Sequence, residues 1–161
     1  MKTYKLLLGI LFLSSLWACN NKAKNKIDVS FIKSYYKIME VYNAENYDDV
    51  LFKADSCLNI IDADTSLYYI GLNMVIGQTY IQKKDTLNSK KYFTEALIFI
   101  NQRILLTALN RDINDIMNKA YILCFLGRKQ EAIVYIKTIN FKKEELKCFG
   151  NSTPLSLIES Y

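Results

Sequence analysis

The chain of 161 residues contains no histidine, only one proline and only five glycines. Without histidine, Ser-His-Asp and Cys-His catalytic groups and most zinc sites are excluded, and the commonest general base is missing. The glycines are scattered and do not cluster after a strand, so no phosphate-binding loop is expected. These absences argue against nucleotide binding and against most hydrolytic enzymes.

Paired acidic residues are the remaining catalytic candidates. Asp112 and Asp115 stand where a helix is expected to begin, so helix capping and the helix dipole explain them without chemistry. The neighbours Asp48 and Asp49 would point to different sides of a helix. We therefore predict a protein that is not an enzyme, with no metal and no cofactor apart from covalent lipid.

The cysteines show no CxxC redox spacing. Cys57 and Cys124 lie on apolar helix faces and are expected to be small core residues, while Cys148 is expected to be exposed. In an oxidising compartment, one pair of these three could instead form a disulfide.

The N-terminus has the pattern of an export signal. Lys2 and Lys5 precede an apolar stretch from Leu6 to Leu13, and the whole apolar segment is short for a membrane-spanning helix, which needs about 20 residues. Residues 1–18 are therefore predicted to be a cleaved signal peptide.

The four residues Leu16-Trp17-Ala18-Cys19 resemble the lipobox of bacterial lipoproteins, although Trp17 stands where that pattern usually has a small residue. The resemblance implies cleavage between Ala18 and Cys19, with diacylglyceryl and acyl chains attached to Cys19. An ordinary secretory signal that leaves a free thiol at Cys19 is the alternative.

Residues 19–29 are polar and basic and are predicted to be a lipidated, flexible tether. Some lipoproteins bound for the outer cell surface carry an acidic run after the cysteine, so a basic run favours a periplasm-facing protein of the cell envelope. Removal of Lys2 and Lys5 with the signal peptide would lower the net charge from +5 to +3, which is mild. This charge indicates affinity for anionic membrane surfaces, and no nucleic-acid binding is expected.

From Phe31 onward, apolar residues recur at three- and four-residue spacing, without the alternation of a strand. An all-α fold is predicted over residues 30–149, built from about three antiparallel helix pairs. The first pair turns near residues 43–46, the second occupies 67–83 and 88–104, and the third occupies 112–126 and 128–139. A short capping helix within 141–149 and a loose C-terminal tail at 150–161 complete the prediction.

Residues 126–137, Leu-Gly-Arg-Lys-Gln-Glu-Ala-Ile-Val-Tyr-Ile-Lys, are similar to the turn and second helix of a tetratricopeptide repeat. In this family, small residues stand where two helices cross at about 8 to 10 Å, and bulky residues fill the space beside them. The resemblance assigns repeat-packing roles to Gly77, Tyr80, Ser89, Phe93, Ala96, Ala120, Gly127, Ala132 and Ile136.

The first pair fits this family less well, because Ile38 and Val50 stand at positions where small residues are expected. The crossing residues are also spaced more widely than the family's period of about 34 residues. The expectation is thus a short, irregular α-solenoid.

First helices line the concave face of such repeats and usually meet partners. Tyr36, Tyr69 and Asn73 are therefore the candidate partner-binding residues. The predicted function is that of a lipid-anchored adaptor, held on the membrane by its N-terminal lipid, which binds another envelope protein or a peptide segment. The alternative is an immunity or inhibitor lipoprotein that blocks a toxin or hydrolase.

Overall fold

A computed structural model describes residues 29–58, 67–107 and 111–161 of the chain. The predictions for the signal peptide, for Ala18 and Cys19, and for the tether up to residue 28 lie outside the described residues. Val29, assigned to the tether, instead begins the first helix.

The described residues form eight helices and no strand, which confirms the all-α prediction. The helices are α1 (Val29–Asn43), α2 (Tyr47–Leu58), α3 (Leu67–Gln82), α4 (Thr86–Leu106), α5 (Ile113–Phe125), α6 (Lys129–Thr138), α7 (Lys143–Lys147) and α8 (Pro154–Glu159). The bounds of α1 to α6 agree with the periodicity to within a few residues.

The same turn joins α1 to α2, α3 to α4 and α5 to α6. In each, the residue two positions before the second helix has a positive φ: 58° at Glu45, 60° at Lys84 and 76° at Gly127. The next backbone N–H donates to the carbonyl five residues earlier, at 3.2, 2.9 and 2.8 Å for Asn46, Asp85 and Arg128. This pattern is a Schellman motif, which satisfies carbonyls at the end of the first helix.

The helices pack in a regular order. We call α1, α3 and α5 the first helices and α2, α4 and α6 the second helices. Each second helix packs on the first helix before it, and α2 and α4 also pack on the first helix that follows. In addition, α1 packs directly on α3.

The prediction of a loose tail at 150–161 is wrong. Helix α8 packs against α6 and α5, just as α3 packs against α2 and α1. The Thr153 hydroxyl caps α8 by accepting from the Ser156 N–H at 3.0 Å, and Pro154 and Ile158 are buried. A single amphipathic turn was enough to add a helix to the core, and it is too short for periodicity to identify.

The core consists of two clusters that meet at α3. The N-terminal cluster contains Phe31, Tyr35, Ile38, Tyr42, Val50, Ala54, Cys57, Leu72, Val75 and Ile76. The C-terminal cluster contains Ile70, Phe93, Ala96, Leu97, Ile100, Ile116, Met117, Ala120, Ile122, Leu123, Ala132, Ile136 and Ile158. Helix α3 is buried on several sides because it contributes to both.

Gly77 marks the closest approach of α3 to α4. A Cβ atom at Gly77 would lie 2.8 Å from Cε2 of the Phe93 ring, closer than carbon atoms pack. Phe93 is itself fully buried and stacks on Phe125 with ring centroids 4.5 Å apart. The absence of a side chain at Gly77 therefore makes room for the central ring of the C-terminal cluster.

The other residues assigned to repeat packing lie as follows. Ser89, Ala96, Ala120, Ala132 and Ile136 are buried, Tyr80 is partly exposed and stacks on Tyr92 at 5.7 Å, and Gly127 occupies the turn before α6. At the corresponding positions of the first pair, the larger Ile38 and Val50 are fully buried. The first pair thus keeps a helix contact with bulkier side chains.

Candidate functional site

The prediction that Tyr69 and Asn73 face a partner is wrong, because both are buried. Tyr69 is 8% exposed and Asn73 only 1%, whereas Tyr36 is 43% exposed. The Tyr69 ring meets Phe99 edge-on at 4.9 Å, and its hydroxyl lies 3.4 Å from Glu95 Oε1. Asn73 Nδ2 donates to the Tyr69 carbonyl at 2.9 Å.

The register of α3 explains this burial. Asn73 and Tyr69 stand four and eight residues before Gly77, so all three lie on one face of the helix. That face is turned toward α4 because Gly77 contacts Phe93. Counting backward from the glycine at the crossing would have placed both residues in the helix contact.

A different set of side chains on the first helices ranges from the buried Tyr42 to the exposed Gln82 and Tyr161. We define the aromatic cluster as Tyr42 of α1, Gln82 of α3, Tyr121 and Phe125 of α5, and Tyr161. The Tyr161 ring lies 5.7 Å from Tyr121 and meets Phe125 at 5.1 Å, with an interplanar angle of 82°. The Tyr42 hydroxyl forms a hydrogen bond with the Gln82 side chain. Tyr161 thus packs on α5, and the Tyr42–Gln82 bond links α1 to α3.

Tyrosine hydroxyls give the aromatic cluster its chemical character. Burial raises the pKa of Tyr42 to about 12, and burial is also the main cause of the raised pKa values of Tyr121 and Tyr161. The electrostatic effects of Tyr121 and Tyr42 add to the raised pKa of Tyr161. These phenols are neutral at physiological pH and do not act as bases, and Tyr161, 47% exposed, is the most accessible of the three.

Sequence reasoning missed the role of Tyr161 because it assigned residues 150–161 to a tail. The spacing of Tyr121 and Phe125, four residues apart on α5, was a usable signal for an aromatic face. Nothing in the sequence indicated which residue would pack on that face.

The acidic residues near the start of α5 have structural roles. Asp112 caps the helix, and its Oδ1 accepts from the Asn114 N–H at 2.9 Å. Asp115 is buried and accepts from Arg103 Nε at 2.8 Å. Loss of solvent raises the pKa of Asp115, and the bond to Arg103 opposes this shift. The ion pair connects α4 to α5.

The cysteines also fit structural roles. Cys57 is buried, Cys124 is partly buried and Cys148 is exposed. Burial raises the pKa of both Cys57 and Cys124, which lowers the fraction of reactive thiolate.

Within residues 29–58, 67–107 and 111–161, no group of three or more acidic or cysteine side chains is arranged to hold a metal ion. Over the same residues, no helix combines the length and apolar character that crossing a membrane requires.

Comparison of the chain with protein-family models, with curated proteins and with solved structures gave no match.

Proposed function

We propose that this chain is a lipid-anchored, non-catalytic adaptor of the bacterial cell envelope, built as a short α-solenoid of tetratricopeptide-like helix pairs. The observation that carries the proposal is the threefold recurrence of one helix–turn–helix geometry. The same Schellman turn follows α1, α3 and α5, with the left-handed residue at the same position each time. A repeated unit of this kind is typical of solenoids, whose surfaces serve binding rather than catalysis.

The order of helix packing supports the same proposal. Contacts between α1 and α3, and between each second helix and its neighbours, are those of stacked pairs. Helix α8 occupies the place of a further first helix, where it covers α5 and α6 as a terminal cap.

The surface proposed for the partner is the side of the first helices that carries the aromatic cluster. Gln78 lies one turn before Gln82 and therefore shares its face, and the exposed Ile81 lies beside it. Tyrosine rings and amide side chains are well suited to a peptide segment, because rings provide contact area and amides pair with its backbone.

In-cell photocrosslinking of the full-length protein tests this function. A photoreactive residue at Gln78 is expected to capture one or a few envelope proteins, while the same residue at Thr94, exposed on α4, is expected to capture none of them. Cys19→Ala is the unanchored control and should abolish the capture.

Capture of the same proteins from Gln78 and Thr94 alike would contradict an interaction through the first helices. A single toxin-like or hydrolytic partner would replace the adaptor with the inhibitor lipoprotein. Capture that persists in Cys19→Ala would show that anchoring is not required.

A further inference from the structure

The outward face of α4 carries large apolar side chains that the fold leaves uncovered. Leu87, Ile98 and Leu105 are 81%, 46% and 77% exposed. At 100° per residue, the three side chains fall within about 20° of one another around the helix axis. They form a single straight row, which we call the α4 row.

The α4 row is long as well as straight. From Leu87 to Leu105 it extends about 27 Å at 1.5 Å per residue, nearly the whole length of α4. Thr94 and Gln102 are exposed between its members. A row of this length fits an extended, flat surface better than a compact pocket ligand.

The charge on this face has one sign. The exposed residues of α4 are Thr86, Leu87, Lys90, Lys91, Thr94, Ile98, Gln102, Leu105 and Leu106, and none of them is acidic. Lys90 and Lys91 therefore stand next to the apolar row. Glu95, one turn after Lys91, is only partly exposed, and its Oε1 lies 3.4 Å from the Tyr69 hydroxyl.

The other second helices differ in this respect. Phe52 on α2 is 74% exposed, but the same helix exposes Asp48 and Asp55. Val134 on α6 is 62% exposed, and Glu131 is exposed one turn before it. Apolar exposure combined with purely basic charge is thus a property of α4 among the second helices.

We propose that the α4 row lies on the surface of an anionic lipid bilayer, with α4 parallel to the membrane plane. Apolar residues enter the boundary between headgroups and acyl chains, and lysines beside them pair with anionic headgroups. This inference rests on the proposed lipid anchor, which keeps the folded domain within reach of the membrane. In this orientation, the opposite side of the stack, with the aromatic cluster, remains available to a protein partner.

Fluorescence of a single tryptophan tests the orientation. Trp17 is the only tryptophan of the chain. The full-length protein is produced with Trp17→Phe and Ile98→Trp, purified from bacterial membranes, and reconstituted into phosphatidylcholine–phosphatidylglycerol vesicles that contain brominated phospholipid. We expect the fluorescence of the tryptophan introduced on α4 to fall at least twofold relative to vesicles without bromine.

Matched controls place the reporter on the neighbouring second helices. Phe52→Trp and Val134→Trp start from residues that are 74% and 62% exposed, against 46% for Ile98. Bromine should nevertheless quench the fluorescence of these two variants by less than a quarter. Adding Lys90→Gln and Lys91→Gln to Ile98→Trp should reduce the quenching, as should phosphatidylcholine vesicles without anionic lipid. All of these sites are exposed, so the fold is expected to survive, and circular dichroism verifies it.

Flotation of the vesicles separates the two proposals. If the Ile98→Trp protein floats with the vesicles while its fluorescence is not quenched, the proposal that the α4 row contacts the membrane is overturned, and the proposal of a lipid anchor is not. Protein that does not float with the vesicles would overturn both proposals. A dimer in sedimentation that Leu105→Ser dissolves, with the α4 reporter unquenched by bromine, would assign the α4 row to a second copy of the chain instead.

Discussion

The two core clusters differ in the side chains that form their helix contacts. In the C-terminal cluster, helices approach through Gly77, Ala96, Ala120 and Ala132, and aliphatic side chains with the Phe93 ring fill the space between them. In the N-terminal cluster, Ile38 and Val50 occupy the corresponding positions, and tyrosine rings supply much of the contact. Tyr35 and Tyr68, for example, meet edge-on at 5.5 Å.

This difference shows that a helix pair can form with either small or large residues at its crossing. Both clusters bury their helix contacts, and both follow the same turn geometry. Small residues permit the closest approach of two helices, while larger side chains keep the pairing at the expense of distance. The two clusters thus share the turn geometry and differ in the size of the residues at the helix crossings.

The largest expected effect comes from the centre of the C-terminal cluster. Phe93→Ala should lower the free energy of unfolding by about 3–5 kcal/mol, because it removes a fully buried ring that fits against Gly77 and Phe125. Chemical denaturation followed by circular dichroism measures the loss. Phe52→Ala, at an exposed phenylalanine, is the control and should change stability by less than about 0.5 kcal/mol. Equal losses in both variants would contradict the packing described for Phe93.

The contribution of α8 to the C-terminal cluster comes next. Ile158→Ala should lower the free energy of unfolding by about 2–5 kcal/mol, because Ile158 belongs to a helix only six residues long and is fully buried. Limited proteolysis should then cut the C-terminal segment first. Glu159→Ala changes a neighbouring exposed side chain and serves as the control. A loss below about 0.5 kcal/mol for Ile158→Ala would contradict the packing of α8 and favour the loose tail predicted from the sequence.

Substitution of two glycines on α3 by alanine allows a direct comparison of the two clusters. Gly77→Ala should destabilise by about 1–2 kcal/mol, because overpacking against Phe93 exceeds the gain of about 1 kcal/mol in helix propensity. At Gly71, the nearest atom to an added Cβ is the Tyr35 hydroxyl at 2.8 Å, at the tip of a side chain that can tilt. Gly71→Ala should therefore destabilise the protein less than Gly77→Ala does, and thermal unfolding measures both losses. Phe93→Leu in the Gly77→Ala background should recover part of the loss, and a larger cost at Gly71 would reverse the comparison.

Alkaline pH tests two tyrosines, the buried Tyr42 of the N-terminal cluster and the partly buried Tyr135, which packs against the C-terminal cluster. Burial raises the pKa of Tyr42 and of Tyr135 to about 12, from an ordinary value of 10. Because the folded state holds these protons more tightly, the stability they contribute is complete below pH 10 and is lost as pH rises toward 12. Each should account for about 1 kcal/mol of the stability lost between pH 8 and pH 11. Tyr42→Phe and Tyr135→Phe should each flatten the pH profile, and profiles identical to that of the unmodified protein would refute the assignment.

The last comparison concerns two of the turns, those before α4 and α6. Lys84→Gly should stabilise the protein by less than about 1 kcal/mol, because it relieves a left-handed conformation while increasing the freedom of the unfolded chain. Gly127→Ala should destabilise by about 1–2 kcal/mol through the backbone alone, since nothing lies within 4 Å of an added Cβ. Denaturant unfolding measures both changes in the free energy of unfolding. Changes of opposite sign would support the equivalence of the two turns, and changes of the same sign would contradict it.

Much of the fold was accessible from local sequence patterns. Apolar spacing predicted the bounds of α1 to α6, and Gly127 marked its turn. The turns at Glu45 and Lys84 carry no glycine, so their left-handed residues had no signal of their own. The sequence pattern did not predict the exposed α4 row, because Leu87, Ile98 and Leu105 are spaced like core residues. Only the packing of the helices leaves them exposed.

The sequence by itself determined the helical class, the order of α1 to α6 and the positions of the turns between them, because these depend on side-chain periodicity and local backbone preference. Only the tertiary structure decided which face of each helix is covered. Tyr69 and Asn73 became part of a helix contact, Ile158 joined the core, and Tyr161 packed on α5. Burial of a given side chain depends on residues distant in sequence, and a local pattern carries no information about those contacts.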